Sequence, residues 1–104
     1  MTKSSVQNGN KAKCDAIYLS IVELSEGGNQ SLFDLAQCFI DGYDPEKLRI
    51  LLKSVDEGLV IDGLFIVSEI GDLARNYSAE LALLAKSSDP EIQSRAIKLA
   101  AIYS

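Results

Sequence analysis

The chain of 104 residues has no histidine and no tryptophan, one methionine, two prolines and two cysteines. Without histidine it lacks the commonest general base and the commonest metal ligand. Two cysteines alone cannot make a thiolate zinc site, and they are too few for a disulfide framework. Cys14 and Cys38 both fall in apolar helical patterns, so the expectation is a pair of reduced core thiols, with no disulfide and no structural metal required. There is no phosphate-cradling loop either: "EGGN" lacks the Lys-Ser/Thr of such a loop and follows a helical pattern instead of a strand. Positive charge is in short supply, with 10 Lys and Arg against 15 Asp and Glu and a formal net charge of -5. That balance speaks against nonspecific nucleic-acid or anionic-membrane partners. Long hydrophobic runs are missing as well. The start "MTKSSVQNGNKAKC" has no apolar signal region, and "GLVIDGLFIV" is interrupted by Asp62 and too short to span a bilayer. A cytoplasmic location is therefore expected.

What remains is a chain 47% hydrophobic with helical periodicity almost throughout. Residues 1–10 are polar and read as a flexible lead-in, leaving 11–104 as one helical domain. From Lys11, Ala16, Ile17, Ile21 and Leu24 share a face, and Gly27-Gly28 is the expected stop. Leu32, Leu35, Ala36 and Phe39 form the next stripe, ended by Gly42. Asp44 and Pro45 open a third helix as N-cap and first residue. Ser54 and Glu57 have the spacing of a capping box for a fourth. "SAELALLAKSS" is a short fifth helix, and "DPEIQSRAIKLAAIYS" a sixth with Ile92, Ala96, Leu99, Ala100 and Tyr103 on one stripe. No segment alternates cleanly enough for a strand. The fold class is all-α, five or six short helices in a HEAT-like, α-solenoid-like bundle.

The two "DPE" openings lie 45 residues apart, each after a short helix, and paired helices at about 40–47 residues are the period of HEAT and armadillo repeats. "LLAKSSDPEIQSRAIKLAAI" resembles the core of a HEAT repeat: Leu83 and Leu84 end one helix, Asp89-Pro90 make the turn, and Ile92 is followed four on by Ala96. Gln93 stands where that pattern usually has arginine. Together with "VIDGLFIVSEIGD", the last half of the chain is similar to small HEAT-like immunity proteins of bacterial toxin–immunity pairs. The resemblance implies a non-enzymatic protein without cofactor that neutralises a basic toxin domain by contact.

"DEGLVIDGLFIVSEIGDLAR", from Asp56 to Arg75, then supplies a candidate surface. At about 100° per residue, Gly58, Asp62 and Glu69 fall within about 40° of one another, with Asp72 to one side and Phe65 between them. Leu59, Val60, Leu64, Ile66, Val67, Ile70 and Leu73 fill the rest, so the segment reads as a central core helix with one wet edge. Asp62, Phe65, Glu69 and Asp72 are the candidate partner-binding residues, an aromatic anchor among carboxylates suited to a basic protein. The same strip serves equally as a solubilising edge with an Asp72–Arg75 pair. A small adaptor binding a helix, a phage-encoded acidic inhibitor of a host defence protein, and a minimal hydrolase using paired carboxylates are the rival readings. The hydrolase suffers from the little room that short helices offer for a cleft to split carboxylate pKa values.

Overall fold

The computed structural model describes residues 2–23 and 29–103, with side chains for 11–23 and 30–103. It is all-α: the described residues form six α-helices and one 3-10 segment, with no strand. The helices are α1 (Thr2–Val22), α2 (Asn29–Ile40), α3 (Pro45–Leu52), α4 (Glu57–Glu69), α5 (Ser78–Leu84) and α6 (Pro90–Tyr103), and the 3-10 segment spans Gly71–Tyr77. The expected helical stop at Leu24 to Gly28 lies outside the described residues. The backbone is already helical from Thr2, where the polar composition of 1–10 suggested a lead-in.

Local chemistry sets most of these boundaries. Gly42, at φ +107°, follows α2, and the Tyr43 and Gly42 amides donate back to the carbonyls of Cys38 (2.9 Å) and Phe39 (3.1 Å). This pair of bonds closes a helix end on a residue without a Cβ. Both Asp-Pro-Glu turns work as read. Asp44 accepts from the Glu46 amide at 3.0 Å, and Asp89 accepts from the Glu91 and Ile92 amides at 2.9 and 3.1 Å. The Ser54/Glu57 capping box is corrected. Asp56 caps α4 by accepting from the Gly58 amide at 2.9 Å, while Ser54 accepts from the Asp56 amide instead. A carboxylate two residues ahead of the first free amide outcompetes the hydroxyl further back.

α4 is the hub, packing on α2, α3 and α6, and α5 packs on α6. Its Val60, Leu64, Ile66 and Val67 are buried among Leu35, Leu48, Leu51, Leu81 and Ala96 of the common core. The repeat-like helix pairs differ in their packing: α5 lies on α6, whereas α2 and α3 each rest chiefly on α4. Arg49 ties the halves together from α3. It reaches Glu80 (3.2 Å) and the Asn76 carbonyl (2.9 Å) while covering the Tyr77 ring, its guanidinium carbon 5.0 Å from the centroid.

The cysteines overturn the thiol expectation. Cys14 of α1 and Cys38 of α2 form a disulfide. Both sit on the inner faces of neighbouring helices with their Cα atoms 6.0 Å apart, inside the range a disulfide spans. Sequence separation carries no information about that approach.

Candidate functional site

α4 packs on α2, α3 and α6 and keeps one edge uncovered, where Asp62, Phe65 and Glu69 recur at helical spacing. Phe65 is half-buried and packed against the core. Its ring meets Phe33 of α2 edge-to-face, with centroids 5.2 Å apart and planes at 68°. Phe33 is 46% exposed, so the pair forms an aromatic ridge over the α2/α4 seam. Ile40, two turns after Phe33 on the same side of α2, is also exposed. Ile61, one turn before Phe65, is half-buried. The surface is thus larger and more apolar than a single anchor.

The carboxylates differ in environment. Asp62 is half-buried, and its pKa is raised above the ordinary value, first by burial and then by the charge of Asp56. Glu69, the last residue of α4, is exposed. Asp72 does not belong to the strip as the helical wheel drew it. α4 ends at Glu69, and Gly71, at φ +63°, turns the chain into the 3-10 segment. The 100° register that related Asp72 to Asp62 is broken there. Asp72 instead sits fully in solvent and pairs with Arg75 at 3.7 Å, an exposed contact worth about 0–1 kcal/mol.

Comparison with protein-family models, curated proteins and solved structures finds no match. The surface therefore has to be read from its own chemistry.

Of the sequence candidates, the structure keeps Asp62, Phe65 and Glu69 on one helix edge and sets Asp72 apart on the next element. Phe33 is the residue the sequence reading passed over. Its signal was present, since a phenylalanine lies beside Leu32 yet off the Leu32–Leu35–Ala36–Phe39 stripe, where a large ring has no core to fill. Among the described residues no group of three or more His, Cys, Asp or Glu is placed to hold a metal. No helix among the described residues is long and apolar enough to cross a membrane.

Proposed function

We propose that this chain is a non-enzymatic, cytoplasmic binding protein of HEAT-like build, an immunity protein that neutralises a cognate bacterial toxin by covering a basic surface of it. The observation that carries the reading is the Phe33–Phe65 ridge, left partly exposed beside Asp62 and Glu69. Aromatic residues with an apolar flank and a charged rim have the composition of interface hot spots, where truncation costs about 2 kcal/mol or more of binding. The formal net charge of -5 favours a basic protein over nucleic acid or an anionic membrane, and complementary charge speeds its encounter. The α5–α6 pair, with Asp89 capping the second helix after the turn, supports the HEAT-like build.

The test is capture from a lysate of the native host on immobilised chain, with mass spectrometry of what is retained. A basic toxin domain retained by the wild type, and lost by Phe65→Ala and Phe33→Ala variants of unchanged helical content, is the expected result. Retention of a partner offering only a helical peptide would make the chain an adaptor. Retention of a host defence protein would make it an inhibitor of the phage type. Toxin binding indifferent to both aromatic changes would overturn the surface.

A further inference from the structure

We propose that the Cys14–Cys38 disulfide is a reducible clasp that controls whether α1 stays docked on the rest of the bundle. The inference goes beyond the partner surface and does not depend on it. α1 packs principally against α2. In its described side chains, 11–23, only Cys14, Tyr18 and Ile21 are buried, with Ile17 and Val22 packed partly against the core. Beyond the disulfide, two polar contacts hold the helix among the described side chains: Tyr43 donates to Asp15, and Lys47 lies over the Tyr18 ring at 5.2 Å. Within the described side chains 11–23, one short seam thus carries the docking of this part of α1, and ordering each residue has an entropic cost that the seam must offset. The covalent link removes most of the freedom that undocking would release.

The disulfide itself is nearly covered, with Cys14 6% and Cys38 7% exposed, so exchange begins where α1 loosens along the groove beside it. Cys14 and Cys38 line an open groove of about 440 Å³ between α1 and α2, together with Lys11, Lys13, Asp34 and Asp41. The groove brings solvent alongside the disulfide, and its two lysines favour an approaching thiolate while the two aspartates oppose it. The reaction balances as ordinary exchange. A thiolate of the dithiol attacks one cysteine Sγ, the Sγ–Sγ bond breaks, and the other cysteine leaves as a thiolate that takes up a proton. The second thiolate of the reductant then attacks the mixed disulfide and releases the remaining cysteine, which is protonated in turn. The protein gains two electrons and two protons, and the dithiol becomes a cyclic disulfide. In a reducing compartment disulfides are characteristically transient and redox-sensing, which is the behaviour a clasp on one peripheral helix provides.

Hydrogen exchange of the full chain, before and after dithiothreitol, tests the proposal. Peptides from α1 should exchange at least about tenfold faster once reduced, peptides from α4, α5 and α6 should keep their protection, and reoxidation should restore α1. A Cys14→Ser/Cys38→Ser variant should show fast α1 exchange without reductant and no response to it. The proposal is overturned by α1 protection that survives reduction, by equal loosening of α4 to α6, or by two free thiols in the air-equilibrated native protein.

Discussion

A half-buried ring contributes to folding through what it covers and leaves the rest of its surface free, and at Phe65 the folding share can be measured by itself. A fully buried phenylalanine cut to alanine costs about 3–5 kcal/mol. Phe65 is only partly buried against the core and meets Phe33 edge-to-face, so Phe65→Ala should cost about 1–2 kcal/mol in urea melts, of which the aromatic pair supplies about 0.5–1.5. A double-mutant cycle with Phe33→Ala should return that coupling, and a value near zero would show that the rings do not meet. Asp62, beside them, is expected to be a stability liability. Its carboxyl has a higher pKa folded than the ordinary 3.8, so the native state binds more protons just above that pH and stability falls as pH rises through the window. Asp62→Asn should therefore raise the melting temperature at pH 7, and the gain should vanish well below pH 3.8. That a native protein retains such a residue on its exposed edge suits a role in binding. Phe65 and Asp62 were legible because the helical wheel is a local property. The Phe33 contact was not, because it depends on how α2 lies across α4.

At the level of whole elements, the same logic separates the helix starts from the helix ends. Asp44 and Asp89 announced α3 and α6 because an N-cap acts within its own turn, through a side chain two residues from the amide it satisfies. The end of α4 was misplaced because the segment holds three glycines that look alike in sequence. Gly58 and Gly63 lie inside the helix while Gly71 turns out of it. The difference is one of backbone conformation, imposed when the following 3-10 segment packs Ala74 and Tyr77 into the core. Space beside Gly71 is open, with no atom within 4 Å of an added Cβ. Any penalty there is one of backbone conformation alone. Gly71→Ala should cost about 1–2 kcal/mol, and Gly71→Asn less, since asparagine visits the left-handed region more readily. Equal stability of the alanine and asparagine variants by chemical denaturation would mean that the turn has given way to a continuous helix. Asp72 would then return to the strip where the wheel had placed it.

On the scale of the molecule, composition was enough to read an all-α fold around a central apolar helix, but the disulfide needed the third dimension. The consequence is a melting experiment whose outcome the sequence alone gets wrong. Reduced thiols would make reductant and chelator equally inert. Chelator is expected to change nothing in a chain without histidine. Reductant should act, and where it acts follows from the packing. The disulfide closes a loop between residues 24 apart, a constraint worth roughly 3 kcal/mol on the chain-entropy view. If that loss fell on the whole domain, the melting temperature would drop by on the order of 10–20 °C. The packing directs it elsewhere. α1 touches the bundle chiefly through α2, while α4, α5 and α6 carry the hub contacts and the Arg49 ties reach across to Glu80 and Asn76. None of these passes through a cysteine. Calorimetry of the reduced protein should therefore split into two steps, a weak early one for α1 and a main transition within roughly 5 °C of the oxidised protein, a shift of about 1 kcal/mol. Far-ultraviolet circular dichroism across the early step should lose roughly a quarter of the helical signal, because α1 is the longest of the six helices at 21 residues. A single transition displaced as a whole would mean that α1 is an integral part of the cooperative core and that the disulfide braces the entire fold.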